Sequence, residues 1–73
     1  MDNEIKFVLE KIHKIRCDKG ISIIELSLRS GLSHSHIFYI ESKKKVPTLT
    51  TLIKIAKGLE VDLVDLFSHD LCE

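Results

Sequence analysis

Residues 21–41 read ISIIELSLRSGLSHSHIFYIE, and they hold two helix starts separated by a single helix stop. Ser22 is followed three residues on by Glu25, the pattern of a capping box. Gly31 stands where a helix stop needs a positive φ. Ser33 then offers a second cap almost at once, opening a helix that runs to about Glu41. The turn between the two helices is too tight for an antiparallel hairpin, so a steep crossing is expected. Steep crossing brings backbones together, and Ser27, four residues before Gly31, is the small residue expected at the approach. Leu26, Leu32, Ile37 and Ile40 are spaced to point inward. That leaves His34, Ser35, Phe38 and Tyr39 outward on the second helix, with His36 beside them.

Further out, the same helical period recurs and no strand pattern or internal repeat interrupts it. Ile5, Val8, Leu9, Ile12 and Ile15 define a first helix from about Asn3 to Asp18, closed by Gly20. After Val46-Pro47, Thr48 caps a fourth helix with a predicted face of Leu49, Leu52, Ile53, Ala56 and Leu59. Asp62 opens a short fifth helix to about Phe67, and residues 68–73 read as a frayed tail. The prediction is an all-α, compact five-helix domain spanning 1–73, its helix-turn-helix at about 23–41.

The chain has 73 residues, 44% of them hydrophobic, and one proline, a composition that folds. Its formal charge is zero, but unevenly spread. Residues 1–57 hold all 11 Lys and Arg against six acids, a balance of +5. Residues 58–73 hold five acids and no Lys or Arg, a balance of −5. Such segregation points to a polyanion partner for one part. No apolar run approaches the ~20 residues of a membrane span, and no signal-peptide layout opens the chain, which reads as cytoplasmic.

Catalytic and metal chemistry find no support. His34 and His36 are two apart, about 200° around a helix, and cannot share a metal. Ser35 between them has no carboxylate or oxyanion partner. Cys17 and Cys72 lack metal-ligand spacing, and Cys17 reads as a packing residue. His13, His69 and Cys72 read as surface residues without a role. The chain is expected to be no enzyme and to need no cofactor or metal.

A helix-turn-helix that docks DNA needs one face in the core and the other in the major groove, the division just described. The chain resembles the helix-turn-helix family of phage repressors and Cro proteins, also called the xenobiotic-response-element family. The likeness runs from about Val8 to Phe67. It rests on R-x-x-K-G at Arg16 to Gly20, on Ser27 and Gly31, and on Ile37-x-x-Ile40-Glu41. It continues through Lys44-Lys45-Val46-Pro47-Thr48, Leu52, Ala56-Lys57-Gly58-Leu59 and Val61-Asp62-Leu63 with Leu66-Phe67.

The resemblance implies a lambda-repressor-like fold and a transcriptional regulator binding double-stranded DNA. It makes the third helix the recognition helix, with His34, Ser35 and Tyr39 at base edges and His36 and Phe38 flanking them. Ser42, Lys43, Lys44 and Lys45 would hold phosphates, as would backbone amides near Ser22 and Ile23. Arg16 and Glu41 would form an inward structural ion pair. Three positions depart from the family. Ile23 replaces a glutamine that touches phosphate, Ser27 an alanine, and Lys43 a glycine, so that Lys43 must adopt an uncommon backbone conformation or redirect the loop.

Leu63, Val64, Phe67 and Leu71 form a C-terminal apolar patch, the expected interface of a symmetric homodimer. A dimer would set two recognition helices one DNA turn, ~34 Å, apart on a palindromic operator. With no second domain in 73 residues, no small-molecule effector domain is expected. The alternative is a protein-interaction module on the same fold, such as an antitoxin or anti-repressor, with Ile23, Ile24 and Phe38 as its contact surface.

Overall fold

The computed structural model describes residues 2–68. Four α-helices and one short 3-10 helix follow in order: α1 Asn3–Asp18, α2 Ile23–Ser30, α3 His34–Glu41, α4 Leu49–Leu59 and the 3-10 segment η1 Leu63–Leu66. There is no strand among the described residues. The fifth helix is thus a single 3-10 turn.

Each of the three inner helices starts on a hydroxyl cap. The backbone N–H groups of Glu25, His36 and Thr51 donate to the side-chain oxygens of Ser22, Ser33 and Thr48 at 3.0, 3.1 and 3.2 Å. The capping box at Ser22 is only half made. Glu25 turns its carboxylate to Arg29 at 2.7 Å, one helical turn ahead.

The helix ends share one device. At Gly20, Lys43 and Glu60 the backbone is left-handed, and paired hydrogen bonds close the helix behind it. At Lys43, its own N–H donates to Ile40 and the N–H of Lys44 to Tyr39, at 3.0 and 2.9 Å. Gly31 closes α2 more simply, with one 3.0 Å bond to Ser27. Lys43 therefore keeps the loop geometry by adopting a φ of 63°, without redirecting the chain.

The core holds Val8, Leu9 and Ile12 of α1, Leu26 of α2, Ile37 and Ile40 of α3, and Leu52, Ile55, Ala56 and Leu59 of α4. Ile21 and Leu66 complete it. Leu32 is half-buried against this cluster. Truncating any of the fully buried leucines or isoleucines removes about 2–5 kcal/mol, which a domain this small can hardly lose.

One packing expectation is corrected, the inward face of α4. Ser27 is half-buried, and its hydroxyl donates back to Ile24 in its own helix at 2.7 Å. A tight contact lies between α2 and α4, where a Cβ on Gly58 would stand 2.9 Å from Leu26 and 3.3 Å from Ser30. Ser30 is the buried small residue, and its hydroxyl accepts the N–H of Leu32 at 3.3 Å. In α4, Leu49 and Ile53 are exposed and Ile55 is buried. That helix carries two adjoining apolar stripes, and the approach at Gly58 selects the one facing α2.

Candidate nucleic-acid interface

Eight residues, HSHIFYIE, make up α3, and its two sides differ sharply. Ile37 and Ile40 are wholly buried, whereas Phe38 and Tyr39 are about half exposed, at 51% and 48%. His34 and Ser35 are exposed on the same outer side, one turn before Phe38 and Tyr39. The rings of Phe38 and Tyr39 meet edge to face, with centroids 5.9 Å apart. His34, Ser35, Phe38 and Tyr39 line one open groove with Ser22, Ile23 and Ile24 from the start of α2 and Arg16 from α1. His36 is half-buried and does not line it.

Beneath this surface, an ionic cluster ties α3 to α1. Arg16 donates from Nε and Nη2 to the two Glu41 carboxylate oxygens, at 2.7 and 2.9 Å, and from Nη1 to the Ile21 carbonyl at 2.8 Å. Both side chains are largely shielded, Arg16 at 11% and Glu41 at 7% exposure. The fork-to-fork geometry is the strong form of this pair. Its hydrogen bond to Glu41 outweighs burial and raises the pKa of Arg16. Burial alone would push the Glu41 carboxyl up, but hydrogen bonds from Arg16 and His13, with their charge, hold it below the ordinary carboxylate value.

His13 is not idle. Its Nδ1 lies 2.8 Å from Glu41 Oε1, and since a carboxylate only accepts, Nδ1 must carry the proton. Nε2 then faces the Cys17 sulfur at 3.5 Å. Cys17 is exposed, so it is not the packing residue expected. Both follow from helical spacing, which sets His13 and Arg16 on one face of α1 and Cys17 one turn beyond His13.

The basic loop divides. Lys43 is half-buried and pairs with Glu10 of α1 at 3.2 Å. Lys44 and Lys45 are exposed, and neither makes a salt bridge among the described residues. Ser42 is exposed at the end of α3. The Ser22 hydroxyl is occupied by the cap to Glu25, while the N–H groups of Ile23 and Ile24 lie in the first turn of α2, where a helix has no partners for them. Among the described residues, no cluster of His, Cys, Asp and Glu could hold a metal ion, and no helix is long and apolar enough to cross a membrane.

The family pattern described as Helix-turn-helix matches residues 12–66. The chain belongs to the helix-turn-helix family. This helix-turn-helix protein is 34% identical over 61 residues to the HTH-type transcriptional regulator SutR of Escherichia coli (strain K12), covering 84% of the chain but 34% of that protein. It is 33% identical over 61 residues to the uncharacterized HTH-type transcriptional regulator y4dJ of Sinorhizobium fredii, covering 84% of the chain and 79% of that protein. It therefore spans about a third of the length of SutR and most of y4dJ. Among solved structures, the restriction-modification controller protein C.Esp1396I matches with a TM-score of 0.85 at 34% identity, over 92% of this chain and 87% of that one. The controller protein C.AhdI from Aeromonas hydrophila matches at 0.80 and 28% identity, over 89% and 97%. The relatives named are regulators of transcription or of restriction-modification.

The C-terminal patch is only partly as expected. Val64 and Phe67 are exposed, at 62% and 45%, but Leu63 packs half-buried against the core. Leu71 lies outside the described residues, as do His69 and Cys72. Sequence reasoning missed Leu28, the most exposed large apolar residue among the described residues at 79%; Ile24, expected on the contact surface of the alternative reading, is 62% exposed. Both sit one turn apart on α2, where an apolar residue facing solvent cannot be told from a core residue by spacing alone.

Proposed function

We propose that this helix-turn-helix protein binds double-stranded DNA as a sequence-specific transcriptional regulator of the repressor or controller kind. His34, Ser35 and Tyr39 face base edges, with Phe38 beside them and His36 at the margin. Lys44 and Lys45 take phosphates, helped by Ser42, the amides of Ile23 and Ile24, and Lys43 once it leaves Glu10. One observation carries the reading. The outer face of α3 stands open beside the start of α2 while its inner face is locked to α1 by Arg16 and Glu41. A helix held this way presents a fixed surface to a groove at no cost of reordering. The names of its relatives agree with such a role.

The same reading includes a homodimer on a palindromic operator. Val64 and Phe67 support it, as do Val46, Leu49 and Ile53, all large apolar residues left exposed. Val46 and Phe67 line a common cleft of about 470 Å³ with Ile5, Phe7 and Leu52. Sedimentation at tens of micromolar, with and without DNA, is expected to show dimer; monomer throughout would remove this part of the proposal.

A second reading is a protein-contact module on the same fold, favoured by the exposed pair Ile24 and Leu28. Salt separates the two. Phosphate neutralisation makes log affinity for a DNA site fall steeply and linearly with log salt, whereas an apolar protein contact barely responds. The expected result is a steep slope, shallower by about one for Lys44→Ala. A flat response, or no DNA affinity at low salt, would favour the second reading.

A further inference from the structure

The recognition surface lacks the side chains that read purines best. Arg or Lys on guanine and Asn or Gln on adenine make the strong bidentate base contacts. None of these four residue types occurs between His34 and Glu41. Arg16, the one guanidinium lining the groove, has its Nε, Nη1 and Nη2 engaged with Glu41 and the Ile21 carbonyl. What the groove does offer is apolar surface on two sides. Phe38 and Tyr39 stand exposed on α3, and Ile23 and Ile24 face them from α2. His34 and Ser35 add single, unforked polar groups.

Only one major-groove feature is apolar, the methyl group on C5 of a pyrimidine. Ordinary DNA carries it on thymine, and modified DNA also on cytosine. We infer that this protein selects its site chiefly through pyrimidine C5-methyl groups, seated against Ile23, Phe38 and Tyr39. The inference rests on the DNA-binding reading above and adds what that reading leaves open, the chemistry of the bases chosen. Ile23 then has a positive role. Where a glutamine would touch phosphate, an isoleucine supplies an apolar wall of the groove opposite Phe38 and Tyr39. The half-site is accordingly thymine-bearing at the positions under α3, with guanine contributing little.

The test starts from a duplex selected out of random DNA by the full chain. In that duplex, each thymine is replaced in turn by deoxyuridine, which lacks only the methyl. Two or more positions per half-site are expected to lose about fourfold in affinity each, the worth of one buried methyl-sized group. Guanines replaced by 7-deazaguanine, which lacks the N7 acceptor, are expected to change affinity by less than about twofold, against the tenfold or so of a forked contact. Phe38→Ala, at an exposed position, is expected to bind the thymine and uracil duplexes alike. Placing cytosine at a sensitive position should weaken binding, and 5-methylcytosine there should recover it. If uracil is tolerated and 7-deazaguanine is not, the inference falls while DNA reading stands. If uracil weakens binding but Phe38→Ala and Ile23→Ala keep that sensitivity, the methyl contact lies elsewhere and the assignment is overturned. If no sequence is enriched at all, the inference and the reading beneath it fall together.

Discussion

The two sides of α3 are made of the same eight residues and do opposite work. The inner side spends its polar group, Glu41, on Arg16 and His13 and buries Ile37 and Ile40 completely. The outer side leaves His34 and Ser35 exposed and Phe38 and Tyr39 about half exposed. A shielded carboxylate with three hydrogen bonds is costly to disturb, because breaking it strands a charge. A half-exposed ring costs little to remove. On the proposed reading, stability and recognition are carried by residues that are adjacent in sequence, and their energies should be nearly independent.

Mutations on each side test that independence. Glu41→Ala should produce the largest effect, a loss of about 3–5 kcal/mol in folding stability, since it leaves Arg16 uncompensated. Chemical denaturation monitored by circular dichroism measures it, and a change under about 1 kcal/mol would mean that the pair is effectively solvated. Tyr39→Ala should leave the denaturation midpoint almost unmoved while costing about 1–3 kcal/mol of affinity on the selected DNA site. Comparable losses in both quantities would break the division between the two faces.

Acid should act on the inner side first. Because Glu41 has its folded pKa below the unfolded value, its contribution is complete above about pH 4.3 and is lost as pH falls through the lower, folded value. The pH dependence of unfolding over that range should therefore be shallower in Glu41→Gln, a smaller effect than removing the side chain. The smallest effect is expected at the end of α3. Lys43→Gly relieves a left-handed residue but gives up the partly exposed pair with Glu10, for a net gain of about 0.5 kcal/mol in thermal or chemical unfolding. A clear loss there would show that the Glu10 contact matters more than the backbone.

Much of this was legible in the sequence, because capping residues and glycines act through bonds that reach only three or four residues. Ser22, Ser33 and Thr48 fix where helices begin, and Gly20 and Gly31 where two of them end. The outward set on α3 followed from the same period. Less legible was anything set by how helices meet. Nothing local tells that Gly58 lets α2 and α4 touch, or that Ile55 is chosen over Ile53. His13 was overlooked because its partner lies 28 residues away. Lys43, read as a free phosphate ligand, finds Glu10 only when α1 packs beside the loop.

On the proposed reading, the outer face of α3 is the surface that meets DNA. Nuclear magnetic resonance of the labelled full chain, titrated with the selected duplex, tests it directly. The largest shifts are expected at His34, Ser35, Phe38 and Tyr39, with further ones at the amides of Ile23 and Ile24 and at Lys44 and Lys45. Binding that leaves those resonances in place while moving Leu28, or Val64 and Phe67, would contradict the account.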